Sequence, residues 1–293
     1  MSSVKTADYD EEKNRVEGGT LYLVATPIGN LSDLSPRAIK VLSGVDFIAA
    51  EDTRNTAKLL GAFDIRRPMV SYFEHNKRER GEIIAGRLAA GESCALVTDA
   101  GTPAISDPGE DLVALCAERG IPVTSVPGPV ASITALTLSG LPTGRFTFEG
   151  FLSVNKTERR ERLDELKAER RTMLFHEAPH KLRATLADLA GAFGSGRHVA
   201  ICRELTKRNE EILRLTLGAA VAYYEEVDPR GEYVLVVEGA PKDAGQDAAF
   251  WAEWDIPAHV AFYLAQGCSK MDAIKKAARD RGVPKNVVYQ EVL

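Results

Sequence analysis

The stretch L-V-T-D-A-G-T-P-A-I-S-D-P-G, residues 96–109, decides how this chain is read. The apolar run Cys94 to Val97 spells a buried strand and feeds the small-residue loop Thr98-Asp99-Ala100-Gly101. Asp107, Pro108 and Glu110 then follow the order of a helix start: a capping carboxylate, a proline at the first helical position, and a glutamate reaching back to the cap amide. A strand that ends in a small-residue loop and opens into a helix is where open parallel sheets place their ligands. An ordinary connection has the same local signature, so the flanking segments must decide.

On the N-terminal side, Leu21 to Ala25 is a short strand that runs into Thr26-Pro27-Ile28-Gly29-Asn30. Ser35-Pro36 starts a helix that Gly44 ends, and Val45 to Ala50 is a second strand leading into Glu51-Asp52-Thr53-Arg54-Asn55. A helical segment from about Glu79 to Ala90 is closed by Gly91. On the C-terminal side the helix from Pro108 stops at Gly120, Pro122 to Val126 is a strand, and Pro127-Gly128-Pro129 opens an Ala/Ser/Thr-rich helix closed by Gly140. Strands alternating with helices predict a parallel α/β sheet covered on both faces, over residues 19–142.

Leu141-Pro142-Thr143-Gly144 reads as a hinge into a second α/β domain, residues 143–240. Its strands are expected at Phe146–Leu152, Thr172–Phe175, Val199–Arg203, Ile212–Leu217 and Tyr233–Glu238. A polar helix spans Asn155 to Arg171, with further helices between the first two pairs of the later strands and after Gly218. Arg230-Gly231 before the last strand suggests an antiparallel return, hence a mixed sheet. Residues 241–248 read as a linker, and 249–293 as a small appendage of helices at Ile256–Gly267, Lys270–Arg281 and Lys285–Leu293. From Lys270 onward six basic residues face three acidic ones, a locally positive surface.

Composition narrows the class. The 293 residues are 44% hydrophobic and 27% charged, as in a globular protein, and the net charge of −5 excludes a uniformly basic nucleic-acid binder while leaving room for a local basic stripe. Four scattered cysteines with no C-x-x-C pair read as reduced thiols, which predicts a cytoplasmic protein. No apolar run approaches the roughly 18 residues of a membrane span. Residues 1–18, charged and without apolar periodicity, read as a disordered tail and not as a signal peptide.

His176-Glu177-Ala178-Pro179-His180 matches the zinc-protease pattern H-E-x-x-H, which needs both histidines on one helical face. Here Pro179 suits the first helical residue, leaving His176 and Glu177 outside the helix, so no metal is expected. No Walker loop, G-x-S-x-G elbow or G-x-G-x-x-G is present, which removes the usual signatures of kinases, hydrolases and dinucleotide enzymes. What remains is a set of small, weakly charged loops at Thr26–Asn30, Asp99–Ser106 and Pro127–Ser132, suited to gripping a ligand by backbone groups. The last of them opens a helix whose amides could hold a carboxylate. Polarity sits at other strand ends: Glu51-Asp52-Thr53-Arg54, Glu177, and Arg203-Glu204-Leu205-Thr206-Lys207. These could converge on a cleft or be surface salt bridges.

T-P-I-G-N-L-S-D, A-E-D-T-R, T-D-A-G-T-P-A-I-S-D-P-G, P-G-P-V-A-S-I-T-A-L and R-E-L-T-K occur in this order between Gly19 and Gly239. The set resembles the ribosomal RNA small-subunit methyltransferase I family of the tetrapyrrole-methylase (class III) superfamily. The resemblance implies two α/β domains with S-adenosylmethionine in the cleft between them, a homodimer, and methylation of the ribose 2′-hydroxyl of a cytidine in the decoding region of 16S rRNA within the small ribosomal subunit. It implies cofactor contacts from Pro27, from Asp99, Ala100 and Gly101, from Ile105 and Ser106, from the helix start at Ala131 and Ser132, and from Phe175 and Leu205. His176 is a departure, standing where the family leads us to expect an aromatic such as tyrosine. Tetrapyrrole-modifying relatives carry a G-x-G-P-G-D first loop, and the Thr26–Asn30 loop departs from it in favour of the RNA-modifying branch.

Methyl transfer to a ribose hydroxyl needs alignment and a proton acceptor. Glu177, Glu204 and Lys207 are the candidates for the acceptor, with Arg54 placing a phosphate. Lys77, Arg78, Arg80 and the C-terminal basic helices would meet further phosphates. A tetrapyrrole methylase and a non-enzymatic RNA-binding module remain the rival readings.

Overall fold

A computed structural model describes residues 15–241, 251 and 253–292. The expected tail at 1–18 and linker at 241–248 lie, except for residues 15–18 and 241, outside these described residues. The chain divides into two compact units, the first running to Gly239 and the second starting at Ala240.

Five short strands, β1 (Leu21–Val24), β2 (Phe47–Ala50), β3 (Met69–Ser71), β4 (Cys94–Val97) and β5 (Val123–Val126), form an all-parallel sheet in the order β3-β2-β4-β1-β5. Its central strands are continuous apolar runs because both faces are covered. Helices α1 (Pro36–Gly44) and α2 (Thr53–Ala62) bring Val41, Leu42 and Leu60 onto Val24, Ile48 and Val97. On the opposite face α3 (Lys77–Ala89) and α4 (Glu110–Glu118) bring Ile84, Leu88 and Leu112 onto Phe47 and Leu96.

Helix α1 starts as its sequence predicts, with Ser35 accepting from the Ala38 amide and Pro36 in the first turn. Helix α4 does not. It begins at Glu110 after Gly109 at φ +149°, with no side-chain cap. The loop before it bends through Ala104 and Ser106, both left-handed at φ +65°, so Asp107 is not the capping residue its spacing suggested. The edge strand β3 was also not expected; its three half-buried residues carry no run long enough to read.

The second sheet joins β6 (Phe146–Gly150), β7 (Thr172–Glu177), β8 (His198–Arg203), β9 (Glu211–Thr216) and β10 (Tyr233–Val237) in the order β6-β7-β10-β8-β9. Only β6 and β7 pair in parallel, and β10 runs antiparallel to both neighbours, which makes the mixed sheet expected from Arg230-Gly231. No helix separates β8 from β9, contrary to expectation; the two form a hairpin across residues 204–210. Helix α6 (Lys156–Leu166) stops short of Arg171, whose amide and guanidinium bond the Glu169 carboxylate in the turn that follows.

Alternation along these strands divides their side chains between two cores. Met173, Phe175, Ile201 and Leu235 meet α6, α7 (Leu182–Phe193) and α8 (Leu217–Glu226). Leu174, Cys202, Val234 and Val236 face the other way and are covered by α5 (Ala131–Ser139), through Ala135 and Leu136. Helix α5 follows the last strand of the first sheet, yet it packs on the second. That helix ties the two sheets together.

The second unit is three helices, α9 (Ile256–Ala265), α10 (Lys270–Asp280) and α11 (Lys285–Glu291), packed around Val260, Ile274, Ala277 and Val288. Part of its basic charge is used internally. Lys275 pairs with Asp272, and Arg281 donates to the carbonyls of Trp254 and Asp255. Among the described residues no helix is long and apolar enough to cross a membrane. The four cysteines form no disulfide; Cys94, Cys116 and Cys202 are buried.

Leu235 is fully buried on the central strand of the second sheet. Leu235→Ala should therefore cost about 2–5 kcal/mol in chemical denaturation, whereas Ile83→Ala, on an exposed side chain, should stay within about 0.5 kcal/mol of the parent.

Candidate active site

Three loops at the carboxyl edge of the first sheet are tied to one another. The Thr26 amide donates to the Gly101 carbonyl at 2.8 Å and the Gly101 amide returns to the Thr26 carbonyl at 3.1 Å, so the loops after β1 and β4 share a two-bond bridge. Thr26 Oγ1 donates to the Thr98 carbonyl at 3.2 Å, and Thr102 Oγ1 donates to the Pro129 carbonyl at 3.1 Å, which adds the loop after β5. Gly101 sits at φ +88°, a conformation that side-chain-bearing residues rarely adopt. The predicted ligand loops Thr26–Asn30, Asp99–Ser106 and Pro127–Ser132 do meet.

The second half borders the same place. A Cβ on Gly29 would lie 2.4 Å from Lys207 Cγ and 2.8 Å from Thr206 Oγ1, so only glycine allows the first loop to lie against the β8–β9 turn. A Cβ on Gly150, at the end of β6, would lie 3.7 Å from Ser106 Oγ. Helix α5 opens here at Ala131 and Ser132, with Val130 at its N-cap and no side-chain acceptor for the first-turn amides. Leu205 is buried with Ile28 beneath α5.

Charge in this region is acidic. Burial raises the pKa of Glu51, and the neighbouring Asp99 and Asp52 add to it, outweighing a hydrogen bond from the Asp99 amide. Burial, then the charges of Glu51 and Asp99, push Asp107 up to about 6. Asp99 accepts from Asn55 Nδ2 at 3.1 Å. Arg54 lies near Asp99 but forks onto Asp52 at 3.2 and 2.8 Å, with its side chain 87% exposed. Uncapped amides on one side and partly buried carboxylates on the other suit a zwitterionic ligand, with its carboxylate at α5 and its positive centre near the acidic loops.

The predicted proton acceptors fare differently. Glu177 does not face the cleft. It follows Met173 and Phe175 on the face of β7 that meets the helices, where it is 4% exposed and accepts from the Ala178 amide at 2.8 Å and from Thr185 Oγ1. The same alternation turns the Phe175 ring away from the cleft. Glu204 Oε1 accepts from Lys207 Nζ at 2.8 Å and from the Glu232 amide at 3.0 Å, while Lys207 also reaches Glu232 Oε2 at 2.9 Å. The Lys207 bond holds the Glu204 carboxyl below its ordinary range. Burial works against charge on Lys207, but its two carboxylate partners prevail and raise its pKa. A depressed carboxylate and a stabilised ammonium are poor proton acceptors at neutral pH.

Sequence reasoning missed Asp107, taken as a helix cap, and did not join Glu51 to it. Glu51 directly follows β2 and Asp107 lies in the loop between β4 and α4; the two strands are adjacent in the sheet but separated in sequence by β3. The H-E-x-x-H segment straddles the end of β7 and a 3₁₀ turn at Pro179–Lys181, so its histidines do not share a helical face. Lys77, expected to meet phosphate, is held between Glu74 and Asp111 at 2.8 Å each.

Residues 20–221 match the model of the tetrapyrrole (corrin/porphyrin) methylases. The ribosomal RNA small subunit methyltransferase I of Halalkalibacterium halodurans is 49% identical over 277 residues, covering 94% of this chain and 96% of that protein. Its namesake from Synechocystis is 46% identical over 272 residues, covering 93% and 96% respectively. Among solved structures, a uroporphyrin-III-C-methyltransferase from Thermus thermophilus superposes with a TM-score of 0.53 over 79% of this chain and 98% of its own, at 18% identity, which reflects a shared fold.

The raised Asp107 pKa carries a stability consequence. Folding favours the protonated acid, so its ionisation costs stability as pH rises from the ordinary 3.8 towards about 6, and the cost persists above that. Asp107→Asn should therefore raise the denaturation midpoint at pH 8 and leave it unchanged at pH 3; a midpoint that falls at pH 8 would contradict the burial of this carboxyl.

Proposed function

Because the chain belongs to the tetrapyrrole methylase family and, within it, to the ribosomal RNA small subunit methyltransferase I family, we propose that it methylates the ribose 2′-hydroxyl of a cytidine in the decoding region of 16S ribosomal RNA, using S-adenosylmethionine. The observation that carries this reading is near-half identity along almost the entire chain to proteins named for small-subunit rRNA methylation. The fold by itself would suit tetrapyrrole substrates equally well.

S-adenosylmethionine supplies a methyl group made electrophilic by a positively charged sulfur. In our reading the backbone of Asp99, Ala100 and Gly101, with Ile105 and Ser106, grips that donor, and the first-turn amides at Ala131 and Ser132 take its carboxylate. Pro27 and Leu205 close apolar sides of the pocket, and Phe175 contributes through its backbone alone. The acidic set Glu51, Asp99 and Asp107 gives the site a potential that favours a cationic donor.

Holding two reactants in line can account for about 7–11 kcal/mol of a barrier, so alignment is the main work of these loops. The acceptor hydroxyl must also lose its proton. We assign that proton to the Asp107 carboxylate. Unlike Glu177, Glu204 and Lys207, it is not committed to a hydrogen-bonded or ionic partner that opposes the task, and its pKa near 6 leaves it ionised at neutral pH yet still basic. Arg54, on the exposed first turn of α2, is placed to meet a backbone phosphate, and the Glu204–Lys207–Glu232 group keeps the β8–β9 turn in shape. The substrate is taken as part of the small ribosomal subunit, and the enzyme as a homodimer.

Purified protein with labelled S-adenosylmethionine should transfer methyl to small ribosomal subunits that lack the modification, and not to RNA carrying 2′-deoxycytidine at the target; equal labelling of the deoxy substrate would overturn the 2′-O assignment. In the same assay wild-type kcat should rise with pH through about 6. Asp107→Asn should lower kcat by about 10²–10⁴-fold and abolish that rise, with a much smaller loss of donor affinity from the missing charge. An unchanged kcat would move proton transfer to another group.

A further inference from the structure

The β6–β7 pairing contains a bulge: Phe148 lies opposite Leu174 and Gly150 opposite Phe175, so Glu149 is an extra residue on β6. In a regular strand Phe148 and Phe151, three positions apart, would point to opposite faces. The bulge cancels that alternation, and both rings contact His176, at centroid distances of 5.2 and 5.5 Å and interplanar angles of 74° and 77°. The three rings form a corner and not a stack. Phe148 remains 38% and Phe151 59% exposed, an unusual amount of open aromatic surface for the edge of a sheet.

His176 Nε2 is enclosed and has no hydrogen-bond partner, and burial lowers the pKa of the ring against a smaller opposing pull from Glu232, which favours the neutral imidazole. The corner adjoins the cleft, because Gly150, between the two phenylalanines, lies against Ser106. The open surface of the corner belongs to the two phenylalanine rings. A planar heteroaromatic ring can lie against them while its polar edge stays free for hydrogen bonds.

We infer that Phe148, Phe151 and His176 form a stacking platform for an unpaired nucleobase of the RNA substrate, the base of the acceptor nucleotide, beside the loops that hold the methyl donor. This rests on the proposed function above. It accounts for the bulge and for the open aromatic faces together. Splayed bases are held in this way by proteins that read single-stranded RNA.

The test is a set of substitutions at the most exposed ring. Phe151→Ala should raise KM for small ribosomal subunits by roughly 5- to 100-fold, with kcat and S-adenosylmethionine affinity by calorimetry little changed. Phe151→Tyr should restore the wild-type value and Phe151→Leu, apolar but without a π face, should not. Rescue by leucine equal to that by tyrosine would overturn the proposal, as would a change of oligomeric state in sedimentation, which would make this surface an interface between copies. A second readout separates this inference from the functional reading. Wild-type protein should quench 2-aminopurine placed in a short single-stranded oligoribonucleotide, and Phe151→Ala should lose the quenching. Quenching without methyl transfer to any small-subunit RNA would sink the proposed function and leave the platform standing; methyl transfer with Phe151→Ala unaffected in both assays would do the reverse.

Discussion

The bridge between Thr26 and Gly101 is the constraint on which the candidate site depends. Parallel strands end in loops that have no reason to hold one another, since their ladder bonds stop at the strand ends. Two reciprocal amide–carbonyl bonds extend the contact beyond the ladder, and Gly101 adopts a left-handed φ there. With the loops after β1 and β4 fixed, Thr102 brings in the loop after β5 through Pro129. The start of α5 is then set by the loop that precedes it.

Helix α5 carries this order across the molecule. Its N-terminus opens at the loops of the first sheet while its buried side, Ala135 and Leu136, packs on Leu174, Cys202 and Val236 of the second. A helix shared in this way couples the orientation of the two sheets to the site. The close approach at Gly29 and the ordinary contact of Gly150 with Ser106 complete the boundary from the second half, and the first of these would tolerate little displacement. Charge is distributed accordingly. Glu204 and Glu232 are paired with Lys207, whereas Glu51 and Asp107 keep raised pKa values.

Much of the fold is legible in the sequence because its signals are local. Ser35-Pro36, the Gly140 stop at φ +77°, the apolar runs of β1, β2 and β4, and Pro179 after β7 each act through neighbouring residues, and each is found where it was read. The misreadings share a different cause. Asp107 has cap spacing, but two left-handed residues upstream redirect the loop; β3 is too short to show a period; and the β8–β9 connection looks long enough for a helix that is not there.

Side-chain direction is the second thing the sequence conceals. H-E-x-x-H lists His176 and Glu177 side by side, yet β7 sends one towards the aromatic corner and the other into the helical core. The sequence by itself determined the strand–loop–helix order, the small-residue loops, and the motif set that marks the family, because backbone propensity and spacing are written locally. Only the tertiary structure decided which carboxylates keep company, which ones are neutralised, and which phenylalanines meet. Those outcomes depend on strand order, on a single inserted residue in β6, and on desolvation by segments far away in the chain.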